Sequence, residues 1–152
     1  MTLSGTRFGD LQFGPSEVLF FKDGLIGFPE LNEFVLLSHK DNSPFRWLQS
    51  VREPALAFLC VLPQHFVPEF NPKLRNDVVL ELGLKASTDR YVLCTASIPK
   101  GKPEEMTINL AAPIVVNANT QTALQFVLED EAYTIRHRVF PEGQKAVEKV
   151  AA

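Results

Sequence analysis

The sequence predicts a mostly β, small single-domain β-barrel-like fold with one or two short helices. Three observations lead there. Phenylalanine is used twelve times against two tyrosines, and it falls in short apolar runs bounded by Pro, Gly and other turn residues, the signature of strands. These runs are about 5–8 residues long and evenly spaced, which fits a barrel or sandwich better than alternating βαβ units. The chain of 152 residues has the length of one domain, which buries roughly 68–70% of the surface its unfolded form exposes. A core of that size needs no disulfide or metal staples.

Taken in order, the strand candidates are residues 7–13, 18–22, 34–38, 45–51, 55–62, 91–98, 106–110, 113–117, 123–129 and 134–139. Residues 7–13 and 107–114 alternate apolar and polar positions in part. The run ALAFLCVL (residues 55–62) is continuously apolar, so it is expected to be covered on both faces. Turns between them are read at Lys22-Asp23-Gly24, at Asp41-Asn42-Ser43-Pro44 and at Asn117-Ala118-Asn119-Thr120. The one clear helix candidate is residues 76–82, with Asn76 or Asp77 as its cap and Gly83 at the C′ position. It follows a Pro-rich connector that must stay extended before each proline. Residues 1–139 form the expected domain, and residues 140–152 are read as a flexible C-terminal tail, since EGQKAVEKVAA has almost no large apolar side chain.

Charge and motif content exclude several functions. Fifteen Lys and Arg against 18 Asp and Glu give a net charge of −3, which lacks the basic footprint of a direct nucleic-acid binder. Two cysteines, Cys60 and Cys94, are too few for a disulfide framework or a thiolate zinc site, and both sit in apolar runs. The opening MTLSGTRFGDLQF has no cationic segment leading into an apolar one, so no signal peptide is expected. The longest apolar run is well short of the ~18 residues of a membrane span. His39, His65 and His137 have no metal-ligand spacing, and no phosphate-cradling glycine loop or nucleophile motif occurs. A soluble cytoplasmic protein with no catalytic residues, no cofactor and no metal is the resulting expectation.

Two features remain as partner contacts. Glu129, Asp130 and Glu131 form the densest negative patch and end the 123–129 strand candidate. On the residues alone they are either paired carboxylates fit for acid–base work or a solvated run protecting a strand edge, and the second is favoured. A role in capturing a partner is what a family resemblance of the string around them adds. Trp47, in PFRWLQS, either fills the core or anchors a partner, and burial is the commoner fate of tryptophan.

Four strings go further: GLIGFPELNEFVLL (residues 24–37), DNSPFRWLQSV (41–51), MTINLAAPIVVN (106–117) and FVLEDEAYTIRH (126–137). In this order and spacing they resemble the flagellar assembly factor FliW family, and TRFGDLQF (6–13) resembles that family's first hairpin. The resemblance covers roughly residues 6–139, and nothing in it reaches the tail. It implies a non-enzymatic cytoplasmic regulator that binds flagellin and the translational regulator CsrA. Flagellin occupies such a protein as it accumulates. Once flagellin is exported, the freed protein sequesters CsrA away from its RNA-contacting surface. Within these strings Asn109 and Asn117 flank the APIVV strand, and each serves either a turn or a partner contact.

Two alternatives stand beside this reading. One is a flagellin chaperone with no CsrA role. The other is a small-ligand-binding barrel with the Phe-rich interior as its pocket, which a side-chain-filled interior would exclude. Protein purified without an affinity tag is expected to carry no stoichiometric zinc or iron. Elemental analysis checks this, and one metal per chain would overturn it.

Overall fold

Among the described residues the short apolar runs fold into eleven strands, with a single α-helix. The computed structural model describes residues 1–38 and 42–140. The strands are β1 (Thr2–Thr6), β2 (Gly9–Gln12), β3 (Val18–Phe21), β4 (Glu33–Ser38), β5 (Phe45–Ser50) and β6 (Ala57–Val61). They continue as β7 (Arg90–Ser97), β8 (Thr107–Ile108), β9 (Ile114–Asn117), β10 (Thr122–Gln125) and β11 (His137–Arg138), with helix α1 at Asn76–Glu81 between β6 and β7.

β3 to β7 form an antiparallel meander. β9 then pairs with β7, β10 pairs with β9, and β10 lies parallel to β3, closing a seven-stranded barrel. The barrel-like, mostly β expectation is met. β8 and β11 extend the sheet beyond the ring from the end of β7, and β1 and β2 form a separate hairpin.

Period-two alternation sorts the side chains into two layers. Phe21, Phe34, Leu48, Cys60, Leu93 and Ile114 fill the barrel interior and are wholly buried. Phe21 and Phe34 meet edge to face at 5.3 Å. Outside the ring, Phe45, Val61 and Cys94 pack against Phe70, Met106, Ile108 and Phe140. Neighbouring residues Cys60 and Val61 therefore belong to different cores, which explains the unbroken apolar run around them. A third cluster joins Val78, Leu82 and Leu84, in and just after α1, to Val115 and Phe126.

Several expectations are corrected. Residues 7–13 are not one strand, because the chain reverses at Arg7-Phe8 between β1 and β2. The 123–129 candidate ends as β10 at Gln125, and the 106–110 and 134–139 candidates shrink to the two-residue β8 and β11. Neither Asn76 nor Asp77 caps α1. Arg75 is its N-cap and makes no side-chain capping bond. Gly83 does follow the helix with φ +62, its N–H donating to the Leu80 carbonyl at 3.2 Å. Gly24 also has a positive φ, and a Cβ there would collide with the Phe28 carbonyl oxygen, so only glycine fits this turn.

The tail boundary also moves. Phe140, expected as its first residue, is buried and sits edge to face on Phe66 at 6.1 Å. The rest of the expected tail, residues 141–152, lies outside the described residues. Phe140→Ala should destabilise the fold by about 3–5 kcal/mol, the usual cost of removing a buried phenylalanine. Chemical denaturation measures this, and a loss below about 1 kcal/mol would show that the outer core closes without it.

Candidate functional site

Past β10 the chain leaves regular pairing but stays alongside the irregular segment between β8 and β9. Phe126 N–H donates to the Pro113 carbonyl at 3.2 Å and Leu128 N–H to the Ala111 carbonyl at 2.7 Å. The acidic run therefore lies in a turn and not at a strand end. Asp130 Oδ1 accepts from Ala132 N–H at 2.9 Å, and the Asp130 carbonyl accepts from Tyr133 N–H at 3.2 Å, a local side-chain turn. Strand alternation does not apply there, and edge protection of β10 loses its basis because the run begins four residues beyond Gln125. Glu129, Asp130 and Glu131 are all exposed.

Glu129 and Asp130, but not Glu131, line a groove of about 400 Å³. Phe126, Leu128 and Tyr133 contribute its apolar surface, and Lys73 and Arg75 contribute cations. Arg75 is already committed: it pairs with Asp77 at 3.2 Å, donates to the Val127 carbonyl at 3.2 Å and lies 5.7 Å from the Phe126 ring centroid. Lys73 is exposed and has no ion pair among the described residues. The groove is thus amphoteric, with a local acidic lip. Sequence reasoning missed Lys73 and Arg75 because the Pro-rich connector carries no periodicity that would tie it to residues 126–130.

Trp47 is neither core nor free. It is half-buried on the outer face of β5, where Phe8 meets it edge to face at 5.5 Å and the Arg7 guanidinium stacks 4.2 Å from its ring. The hairpin tip thus clamps Trp47 through a cation–π contact. Asn109 and Asn117 each make hydrogen bonds within the fold. Asn109 Oδ1 accepts from Ala111 and Ala112 N–H at 3.0 and 3.1 Å. Asn117 is buried, donates to the Leu82 carbonyl at 2.7 Å and accepts from Asn119 and Thr120 N–H at 3.0 and 3.2 Å. The structure places the three acidic residues together and leaves Trp47, Asn109 and Asn117 at three separate stations of the barrel wall.

The remaining reactive side chains are inert or scattered. Burial raises both cysteine thiols, Cys94 up to about 12, so neither is a thiolate nucleophile near neutral pH. His65 lies in the turn after β6 and His137 in β11, while His39 lies outside the described residues. Among the described residues no cluster of three or more His, Cys, Asp or Glu is placed to hold a metal ion, and no helix is long and apolar enough to cross a membrane.

The FliW protein family model matches residues 2–139. This chain belongs to the FliW family. The flagellar assembly factor FliW of Desulfitobacterium hafniense (strain DCB-2) is 40% identical over 144 residues, covering 95% of this chain and 94% of that protein. The FliW of Magnetococcus marinus is 35% identical over 146 residues, covering 96% and 89%. A crystal structure of the flagellar assembly factor FliW superimposes with a TM-score of 0.86 at 30% identity, covering 95% of this chain and all of that one. The resemblance carried by the four sequence strings therefore extends to the whole FliW barrel.

Asn117→Ala removes the tie to Leu82 and leaves two turn N–H groups without their acceptor. It should cost about 2 kcal/mol of stability. Thermal or chemical unfolding of the variant checks this, and an unchanged midpoint would contradict the structural role.

Proposed function

We propose that this FliW-family protein binds flagellin and the translational regulator CsrA in the cytoplasm, that the two partners antagonise each other, and that it acts as a non-enzymatic link between flagellin supply and flagellin synthesis. Membership of the FliW family over residues 2–139 carries the reading. What the structure adds in support is physical. An exposed acidic lip, Glu129 and Asp130 with Glu131 beside them, borders a groove of mixed apolar and charged lining on a protein of net charge −3. Such a lip steers a cationic surface toward the groove and repels approaching phosphates. The barrel interior is filled by Phe21, Phe34, Leu48, Leu93 and Ile114, which speaks against an internal small-ligand pocket.

Asp130 holds its own turn through Ala132, so charge is best tested at its neighbours. Glu129→Lys combined with Glu131→Lys should slow CsrA association, mainly through the on-rate. The defect should shrink as salt rises toward 1 M, where the Debye length is about 3 Å. Stability should change by no more than about 0.5 kcal/mol, since these side chains are exposed. Stopped-flow or surface-binding kinetics at low and high salt give the answer, and unchanged low-salt kinetics in a folded variant would remove the acidic run from the site.

Antagonism has its own test. Reciprocal linkage requires flagellin and CsrA to weaken one another by the same factor. Titrating flagellin into a preformed complex with CsrA should release CsrA. A stable ternary complex with both affinities unchanged would refute the partner switch.

A further inference from the structure

A second groove lies at the end of the barrel where β6 and β7 part. Their ladder consists of Cys60↔Thr95 and Val61↔Cys94 only. Beyond it β7 pairs on its other edge with β8, through Ala96↔Ile108 and Ser97↔Thr107. The edge of β7 that faces β6 is therefore unladdered from Ala96 onward, as is the β7-facing edge of β6 from Ala57 to Leu59, whose other edge pairs with β5. At this opening an apolar groove of about 420 Å³ forms, with Phe58, Ala96, Ala111 and Val127 among its walls. Ile26, Val127 and Ile135 stand at it with 56%, 56% and 66% of their surface exposed. Large aliphatic side chains this exposed and this close together mark an interaction surface.

The groove continues onto a cationic shelf. Thr95 lines the apolar part and Ser97 the shelf, and Asn109 and Thr107 divide in the same way. Thr95 and Ser97 are two residues apart within β7, so their side chains share one sheet face. Arg138 sits opposite Thr107 in register, and Arg136 and Arg138 both line the shelf. Arg136 makes no hydrogen bond or ion pair among the described residues, while Arg138 donates only to the Glu104 carbonyl at 3.4 Å. The carboxylate at the shelf, Glu105, is matched by Lys102 at 3.9 Å. An apolar trough, a free strand edge and two uncompensated arginines thus lie in line.

We propose that this trough and shelf dock an extended acidic–apolar peptide segment of a partner protein. Its aliphatic side chains enter between Phe58 and Ile135, its carboxylates meet Arg136 and Arg138, and its backbone uses the open edge of β7. Charge complementarity selects this occupant: on a protein of net charge −3, an arginine pair at the end of an apolar trough favours an anionic peptide over a cationic one. The last twelve residues of the chain, PEGQKAVEKVAA, set Lys145 and Lys149 against Glu142 and Glu148, so they lack the net negative charge that the shelf selects. The inference does not rest on which protein supplies the segment, and its test uses neither flagellin nor CsrA.

The probe is a fluorescent synthetic peptide alternating Leu and Glu, compared by anisotropy with its Leu–Lys and Ser–Glu counterparts. The Leu–Glu peptide should bind, and both counterparts should bind at least about tenfold more weakly. Arg136→Glu with Arg138→Glu should weaken the Leu–Glu peptide by about tenfold or more, and Ile135→Asp should do likewise. Asp10→Lys, an exposed change in the separate β1–β2 hairpin, should leave peptide affinity unweakened. All three variants alter exposed side chains, and circular dichroism confirms folding. Absence of binding, equal binding of the Leu–Lys peptide, or indifference to both arginines in folded protein would each overturn the proposal.

Discussion

The ring of seven strands closes through one parallel joint, Thr122↔Phe20 and Ala123↔Phe21, in a barrel whose other pairings are antiparallel. Two residue pairs make a short ladder. The joint holds because both sides of it are braced. Gln121, at φ 60, accepts from Phe20 N–H at 2.9 Å through its carbonyl, and its side-chain amide donates to the Ser16 carbonyl. On the inner side, Phe21, Phe34, Leu19 and Ala123 are buried together. Closure removes the exposed edges of β3 and β10, which would otherwise be templates for pairing with another chain. The aromatic interior and the closed ring therefore depend on each other, since neither survives if β10 swings away.

A second constraint follows from the first. β8 and β9 pair with the same edge of β7, separated by a bulge at Asn109 to Pro113. Asn109 Oδ1 gathers the N–H groups of Ala111 and Ala112 there, so the break is a built feature and not a lapse in pairing. The bulge lets β8 leave the ring with the end of β7 and carry Met106, Ile108 and Leu110 onto the outer core. The same departure parts β6 from β7. Asn109 thus sits at the junction where the chain passes from β8 to β9.

Strand positions were legible because period-two patterns and Pro/Gly punctuation are local, and β3 to β7 fall within a residue or two of where the sequence puts them. The family was legible from four strings. What lay hidden depends on distant parts of the chain. The acidic run reads as a strand end because Phe126, Val127 and Leu128 are apolar. Only the bulge opposite shows why regular pairing stops at Gln125. Phe140 reads as tail because its burial rests on Phe66, more than seventy residues earlier in the chain. Trp47 reads as core or anchor, and its contacts with the tip of a hairpin forty residues away are not visible in the local sequence. The asparagines could not be sorted at all from sequence, since a turn-capping side chain and a partner contact use the same atoms.

Residues 126–128 lie between the two grooves, and Val127 lines both. This segment has no regular ladder. It is held by Phe126 N–H to Pro113, by Leu128 N–H to Ala111 and by Arg75 to the Val127 carbonyl. Two of those ties run to the bulge and one to the cap of α1. A partner pressing on the acidic lip acts on the same peptide units that shape the apolar trough, so the two surfaces are joined by a few hydrogen bonds and not by a rigid strand. Coupling between them needs no overlap of footprints. It needs only that the segment fit one partner better in one position and the other in another, and the equal and opposite effects on affinity then follow from linkage. A site on an unladdered segment anchored at three points suits antagonism better than a site on a laddered strand of the barrel would, because cross-strand pairing leaves such a strand no second position to take.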